Sequence, residues 1–570
     1  MLTSRDIQEI KKLPFVKKIQ PVGVGRIKLT PLRNQFQKVD LFKDQQLKFD
    51  YGPSLIQNAL INVPQVHELG ITGLGIWIGM LDTGFRYRDH EAFKKLRVLA
   101  ERDFINNDDV TEDQPDQDPP GQHNHGTETL SVIGAFKDGQ LIGTAFNANF
   151  LLAKTEIVAE EIRQEEDFWV AGLEWMERKG VDVVSSSLGY LDFYQPSQMD
   201  GNTAVTTIAA DIAVSKGVVG VNSAGNERQT PWHIIISPAD GDSVIAVGAV
   251  DEHNNLATFS SVGPTADGRI KPDVVAMGVN VYTVYPPSGK NPEINRYAMV
   301  SGTSFSCPQV AGLAALVLSA HPFLTPIQVR DALRLTADRA TRPDTLYGWG
   351  LVNALDAILF HGTAFSNLPQ VKVNNNTLEI SIKILSKHGV NPEQVKLIYS
   401  LETGNFNQQV FMTPGLEPHQ FTAAIPQSVV EGKTLHFYFM ATDSSGAVAL
   451  HPYNAPDSTF TVNELGVLVE PEFGPVPERF ELLQNYPNPF NNTTIITFRI
   501  PEAARVSLEI YNLLGQRVRT LINNEPKKAG QEQIRWDGRD ESGCALPSGV
   551  YFYRLRSQHF SSIKKMILVK

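Results

Sequence analysis

A serine, an aspartate and a histidine, residue types that carry out hydrolysis, lie where the sequence predicts helices or strands to begin or end. Ser304 follows a short polar turn at residues 301–303 and precedes an apolar stretch with helical spacing. A helix N-terminus has unpaired N–H groups and a positive dipole end, which would stabilise an alkoxide or an oxyanion. Asp82 closes the apolar run 76–81, and His125 opens another helical pattern. A hydroxyl, an imidazole and a carboxylate are the groups that nucleophilic hydrolysis requires.

The elements that would position these residues alternate between strand and helix from about residue 51 to residue 361. Four apolar runs are typical of buried strands, at residues 76–81, 181–184, 217–221 and 244–250. Two sets recur at helical spacing: Val205, Ile208, Ala209, Ile212 and Ala213, then Val310, Leu313, Ala314, Val317 and Leu318. This alternation predicts a parallel sheet covered by helices on both faces, with functional groups at the carboxyl ends of its strands.

After about residue 364 the apolar period changes to two, which predicts antiparallel strands. Residues 365–463 are predicted to form a fibronectin-like β-sandwich, and residues 464–479 a Pro-rich linker. Residues 480–570 are predicted to form a second, C-terminal β-sandwich that ends in an alternation of Lys565, Ile567 and Val569. The fold class is therefore an α/β domain followed by two small all-β modules.

The segments around the three candidate residues resemble those of subtilisin-like serine proteases, the subtilases. The strings are Asp82-Thr83-Gly84, His125-Gly126-Thr127, Ser187-Leu188-Gly189, Ser223-Ala224-Gly225-Asn226 and Ser301-Gly302-Thr303-Ser304. Their order of aspartate, histidine and serine is the order in subtilisin, and differs from that in chymotrypsin and the α/β-hydrolases. The resemblance implies a subtilisin-like peptidase domain over residues 51–362, with residues 1–50 a propeptide remnant or an N-terminal extension.

The resemblance also implies the role of each residue. Ser304 would be the nucleophile, His125 the general acid and base, Asp82 the carboxylate that orients His125, and Asn226 a donor to the oxyanion. The segment of Ser187, Leu188 and Gly189 would pair with extended substrate backbone. His123 lacks the following Gly-Thr and is expected at a loop or rim. Glu128 stands where the family commonly has a second histidine.

The C-terminal region resembles the sorting domain of type IX secretion substrates. The resemblance rests on residues 485–491 (Asn-Tyr-Pro-Asn-Pro-Phe-Asn), 511–516, 547–551 and 567–570. It implies a secreted or surface-attached bacterial protein whose partners are the type IX secretion machinery and protein or peptide substrates. The first residues do not resemble a signal peptide, which leaves a cytosolic enzyme or a chain whose true start lies upstream, and the C-terminal resemblance favours the second.

Composition also indicates which classes of binding partner do not suit this chain's charge and hydropathy. The formal net charge is −11 and no dense Lys/Arg block occurs, which argues against nucleic acid and anionic membrane surfaces as partners. No run approaches the roughly 18 apolar residues of a membrane span. The two cysteines, Cys307 and Cys544, exclude a disulfide framework.

An acidic loop is the one candidate metal site in the sequence, and no cofactor is expected for the chemistry itself. The loop spans residues 106–118 and lacks EF-hand spacing, so structural calcium and a solvated surface loop remain alternatives. Three other functions compete with a serine endopeptidase. An inactive subtilase-fold adhesin conflicts with the complete set of catalytic segments. An esterase would need a second glycine after Ser304, and a sedolisin would have glutamate in place of His125.

Overall fold

The computed structural model describes residues 24–25, 47–287, 293–401, 406–463, 466–469, 476–491 and 493–569. The predicted propeptide remnant, residues 1–50, lies mostly outside these ranges, as do residues 470–475 of the predicted linker.

A seven-stranded parallel sheet forms the centre of the first domain, as the sequence predicts. Its strands in chain order are β1 (Trp77–Asp82), β2 (Arg97–Asp103), β3 (Asn149–Lys154), β4 (Val183–Ser186), β5 (Val219–Ser223), β6 (Ile245–Val250) and β7 (Val274–Met277). Their order across the sheet is β7-β6-β5-β4-β1-β3-β2. Successive strands are therefore added to opposite sides of β1, and ligands of such sheets bind beyond the carboxyl ends of the strands where the strand order reverses. Asp82 is the last residue of β1.

Helices cover both faces of this sheet. They are α1 (Leu55–Leu60), α2 (Val63–Glu68), α3 (Asn124–Gly134), α4 (Gln164–Lys179), α5 (Val205–Ser215), α6 (Thr303–Ala320), α7 (Pro326–Leu335) and α8 (Ala354–Leu359). Two hydrophobic clusters separate the layers, one with α2, α3, α6, α7 and α8 and the other with α4 and α5.

Helix α6 bears on the expectation that no run reaches the length of a membrane span. It has 18 residues and a mean hydropathy of 1.3, so by length and composition it is able to cross a bilayer. However, 83% of it is buried inside the protein, against strands of the central sheet. Its apolar composition is accounted for by this position, because a helix buried on all sides is apolar all round.

Helix α5 lies where the spacing predicts it, but it buries the other face. Ile208 and Ile212 are 42% and 52% exposed. The buried face carries Thr206 and Thr207, whose hydroxyl groups both bond to the Ser237 hydroxyl at 2.6 and 2.8 Å. The buried face therefore includes these threonines with Ala210 and Ala213, and the two isoleucines face solvent.

Short antiparallel pairs complete the domain. Strands β8 (Val281–Tyr285) and β9 (Arg296–Val300) form a hairpin-like pair, and Phe136–Lys137 pairs with Leu141–Ile142. Val24–Gly25 pairs antiparallel with Glu161–Ile162.

Two five-stranded antiparallel sheets enclose one apolar core in the next module. Their strands are β10 (Ala364–Phe365), β11 (Gln370–Asn374), β12 (Thr377–Leu385), β13 (Val390–Ser400), β14 (Gln408–Phe411), β15 (Thr413–Pro414), β16 (Gln420–Pro426), β17 (Leu435–Asp443), β18 (Val448–His451) and β19 (Phe460–Val462), with the short helix α9 (Gln427–Val430). Strand β12 buries every second residue, as the period of two predicts.

The C-terminal module has a three-stranded and a four-stranded antiparallel sheet around a separate core. Its strands are β20 (Glu481–Leu482), β21 (Thr494–Ile500), β22 (Ala504–Tyr511), β23 (Arg517–Lys527), β24 (Gly530–Trp536), β25 (Gly549–Ser557) and β26 (Phe560–Leu568). In the last strand Met566 and Leu568 are buried, whereas Lys565 of the noted alternation is exposed. Apolar residues occur at both odd and even positions of this strand, so the alternation in sequence does not define which face is buried.

Contacts join the C-terminal module to the end of α4. The Lys528 ammonium lies 2.5 Å from the Asp182 carboxylate, and the Ala529 N–H donates to the Lys179 carbonyl at 3.1 Å. The Lys179 ammonium in turn donates to the Pro501 carbonyl at 2.7 Å. The two domains therefore touch through a polar contact, although each has a core of its own.

Candidate active site

Asp82 ends β1 with its side chain fully buried and surrounded by donors. Its Oδ1 accepts hydrogen bonds from the Thr83 N–H at 2.8 Å and from His125 Nδ1 at 2.6 Å. Its Oδ2 accepts one from the Thr129 hydroxyl at 3.0 Å. A buried carboxylate is costly unless it is hydrogen-bonded, and here both oxygens are. These donors fix the carboxylate in place beside the histidine.

His125 lies in the first turn of α3, which the Gly126 position brings close to β1. A Cβ at Gly126 would lie 2.2 Å from the Gly84 carbonyl oxygen and 3.0 Å from Asp82 Cβ, so only glycine allows this approach. Since a carboxylate only accepts, Nδ1 of His125 carries the proton and Nε2 is left as the basic nitrogen. Burial alone would lower the pKa of His125, but Asp82 outweighs it and the pKa stands above its usual value.

Ser304 is the second residue of α6 and is half-buried at the helix N-terminus. The His125 ring lies against the next residue, Phe305, with ring centroids 5.8 Å apart. The Ser304 hydroxyl donates to the Ser187 carbonyl at 3.3 Å, at the long end for such a bond. The structure thus brings the segments of Asp82, His125 and Ser304, which are far apart in sequence, to one end of the sheet.

Asn226 is exposed, and its amide has a defined orientation. Its Oδ1 accepts from the Thr303 N–H at 2.9 Å and from the Thr303 hydroxyl at 3.1 Å. A backbone N–H can only donate, so the oxygen must face Thr303, and the Nδ2 amide group is left to donate elsewhere. The side chain is therefore a free donor adjoining the residue before Ser304.

The segment of Ser187, Leu188 and Gly189 leaves the carboxyl end of β4 and runs beside Ser304. The Ser187 hydroxyl donates to the Ser304 carbonyl at 2.8 Å, which reciprocates the bond from Ser304 to Ser187. A Cβ at Gly189 would lie 2.2 Å from Ile236 Cδ1, so packing requires the glycine. The segment is thus held next to the candidate nucleophile.

A second edge, at Glu161–Ile162, was missed by the sequence analysis. The extended residues Val24–Gly25 pair with it, Val24 opposite Ile162 and Gly25 opposite Glu161. Gln122, three residues before His125, bridges this region to the site by donating to the carbonyls of Thr83 at 2.8 Å and Glu156 at 2.5 Å. No motif marks Glu161; the only signal was the acidic run that begins at Glu160.

Three ionisable residues close to the candidate site have surroundings of their own: His123, Cys307 and Glu128. His123 lies in the turn before α3, as expected, but it is buried against Asp113 at 2.5 Å and is not at a rim. Cys307 is fully buried, and burial raises its thiol pKa to about 12, so its thiolate is scarce near neutral pH. Burial also raises the pKa of Glu128 to about 8, although His125 opposes this shift.

The acidic loop that the sequence offers as a metal site is tied to protein donors. Asp118 lies 2.5 Å from the Lys154 ammonium, Asp109 lies 3.0 Å from Arg102, and Asp113 accepts from the N–H groups of Gly121 and His123. In the described ranges, the carboxylates close enough together to hold a metal ion are instead those of Glu156, Glu161 and Glu165.

Comparison with known proteins gives two family matches. Residues 73–350 match the profile described as the subtilase family, and residues 484–570 match that of the secretion system C-terminal sorting domain. Subtilisin DY from Bacillus licheniformis is 34% identical over 296 residues, which cover 52% of this chain and 94% of that protein. Subtilisin BL from Lederbergia lenta is 32% identical over 295 residues, with 52% and 94% covered. A solved protease structure from Pseudoalteromonas arctica PAMC 21717 covers 55% of this chain and 99% of its own, with a TM-score of 0.45 and 24% identity.

Proposed function

This chain belongs to the subtilase family and is a subtilisin-like serine endopeptidase, and we propose that it hydrolyses peptide bonds through Asp82, His125 and Ser304. The observation that carries the assignment of residues is the 2.6 Å hydrogen bond between His125 Nδ1 and the fully buried Asp82 carboxylate. This bond leaves His125 Nε2 as the one basic nitrogen of the ring, on a helix that also packs beside the Ser304 segment.

In the first half of the reaction, the Ser304 oxygen attacks the carbonyl carbon of the substrate while His125 Nε2 takes the hydroxyl proton. The resulting imidazolium is stabilised by Asp82, which stays ionised. The C–N bond then breaks, His125 gives the proton to the leaving amine, and an acyl group remains on Ser304. In the second half, water attacks the acyl carbon, with His125 again taking and returning the proton.

Negative charge develops on the carbonyl oxygen in both halves. We assign its stabilisation to Asn226 Nδ2 and to the Ser304 N–H at the start of α6. The two bonds from Thr303 support this assignment because they hold the Asn226 amide with its donor group free. Substrate backbone would pair with the segment of Ser187, Leu188 and Gly189. None of these steps requires a cofactor, and structural calcium remains a proposal.

The direct test is a comparison of the wild-type enzyme with Ser304→Ala on casein. The variant lacks only the nucleophilic oxygen, so hydrolysis should stop while circular dichroism and thermal unfolding stay unchanged. Retained hydrolysis in this variant would contradict the assignment of Ser304.

The C-terminal sorting domain places the protein outside the cell or on its surface after export by type IX secretion. We propose that residues 480–570 serve export and not chemistry, because their core is separate from that of the peptidase domain. Deleting them should leave casein hydrolysis nearly unchanged while trapping the enzyme inside a type IX-competent host. Normal export of the truncated enzyme would contradict the proposal.

A further inference from the structure

Three glutamates converge beside the proposed substrate cleft. Glu156, Glu161 and Glu165 each offer a carboxylate oxygen, and these oxygens lie within 4.8 Å of one another. No ion pair in the described part of the chain includes any of the three. Ionised carboxylates at such a separation repel one another, so a cluster of this kind either retains protons or gains stability from a bound cation.

The three carboxylates differ in their partners. Glu165 accepts from the N–H groups of Ile157 at 2.7 Å and Ile162 at 2.8 Å, and Glu156 accepts from the Tyr190 hydroxyl at 3.1 Å. Glu161 is 7% exposed, and its carboxylate accepts no hydrogen bond from any described residue. A carboxylate of a largely buried residue that lacks a donor and lies close to two other carboxylates is what a ligand with positive charge would complete.

The cluster adjoins both edges of the cleft. Tyr190, the donor to Glu156, directly follows the segment of Ser187, Leu188 and Gly189. The backbone of Glu161 itself pairs with an extended strand, the residues Val24–Gly25. An edge that already holds extended polypeptide next to the cluster is evidence that its ligand is a peptide.

The register of this pairing determines which residue of a bound peptide meets the cluster. Residues directly opposite in an antiparallel pair project their side chains to the same face, with Cβ atoms roughly 4.5–5.5 Å apart. The residue opposite Glu161 is Gly25, which brings no side chain to that point. A longer side chain at this position would extend over the Glu161 carboxylate.

We propose that Glu156, Glu161 and Glu165 form a subsite for a lysine or arginine side chain, carried by the substrate residue that pairs with Glu161. The substrate class is therefore a protein with a basic residue near the cleaved bond, and this inference rests on the proposed peptidase function. The ammonium or guanidinium supplies the donors that Glu161 lacks. The strand pairing of Glu161 with Val24–Gly25 favours a cation carried by a peptide over a bound metal ion.

The test is a positional scan with internally quenched peptides that carry Lys, Gln or Glu at each position on either side of the cleaved bond. Wild-type kcat/KM should be about 10- to 100-fold higher for Lys than for Gln at one position, mainly through KM. Glu161→Gln should abolish this preference by lowering kcat/KM for the Lys peptide to about that for the Gln peptide, and measurable cleavage of the Gln peptide shows that the variant folds. Glu161→Lys should reverse the preference toward Glu. Glu174→Gln, the same change on the exposed face of α4, is the matched control and should behave as wild type.

Two results would overturn the inference. One is cleavage with no preference for Lys at any position, or with a preference that survives in Glu161→Gln. The other is saturable Ca²⁺ binding by calorimetry that Glu161→Gln removes without changing peptide preference, which would assign the cluster to a metal. Either result leaves the peptidase assignment intact, whereas an enzyme that cleaves none of the peptides would contradict the proposed function itself.

Discussion

Two carboxylate sites flank the proposed cleft, and they differ in how their charge is satisfied. Asp82 is fully buried and receives hydrogen bonds from Thr83, His125 and Thr129. Glu161 is nearly as buried, but it faces two other carboxylates and accepts no hydrogen bond from a described residue. The comparison teaches that burial alone does not define the role of an acid. A carboxylate with its donors in place can orient a base, whereas one without them is suited to receive a cation from a ligand.

The largest loss of activity is expected when the histidine that donates to Asp82 is replaced. His125→Ala removes the group that takes and returns the proton, so kcat on a peptide substrate should fall by at least about 10⁴-fold. His123→Ala is the matched control, because His123 is an imidazole two residues away whose partner is Asp113 and not Asp82. Measurement of kcat for both variants checks this, and equal losses would show that the wrong imidazole was assigned.

A smaller effect is expected from the oxyanion donor. Asn226→Ala should lower kcat about 100- to 1,000-fold with little change in KM, because the donor meets charge that exists mainly in the transition state. Steady-state kinetics on one peptide separate the two parameters. A loss confined to KM would place Asn226 in ground-state binding.

The smallest effect is expected on the thermal stability of a variant at Glu161, the carboxylate that lacks a donor. Burial, together with the charge of Glu165, raises the pKa of Glu161 to about 8. The folded state therefore holds a proton that the unfolded state releases near its ordinary pKa of about 4.3, so stability falls as pH rises from there to about 8. Glu161→Gln does not titrate, and its melting temperature should exceed that of wild type by at least about 2 °C at pH 9 and not at pH 4.

The control for that measurement is again Glu174→Gln, which removes one exposed charge from the nearby helix α4. A melting temperature of Glu161→Gln that tracks wild type at every pH would mean that Glu161 is not strained by its neighbours. The contrast between the two carboxylate sites would then be wrong.

The sequence predicted the partnered site far better than the unpartnered one. The segments of Asp82, His125, Ser304 and Asn226 are recognisable because their local geometry requires fixed neighbours, such as Gly126 for the close approach of α3 to β1. The catalytic roles stay predictions. The glutamate cluster has no such neighbours, since it arises where the loop after β3 folds back onto the start of α4.

The same distinction holds for the fold. Continuous apolar runs predicted the parallel sheet, and a period of two predicted the antiparallel modules, because both patterns follow directly from strand geometry. The buried face of α5 was not predictable from its isoleucines, because Thr206 and Thr207 bond to Ser237, a residue distant in sequence. Partners that come from elsewhere in the chain override local periodicity.

Labelling with a fluorophosphonate probe, followed by peptide mapping, identifies the nucleophile of the enzyme. The wild-type enzyme should carry one label, on Ser304, and this label should be lost in His125→Ala and in the unfolded protein. A label on another residue, or an unlabelled Ser304 in an enzyme that hydrolyses casein, would contradict the proposed role of Ser304.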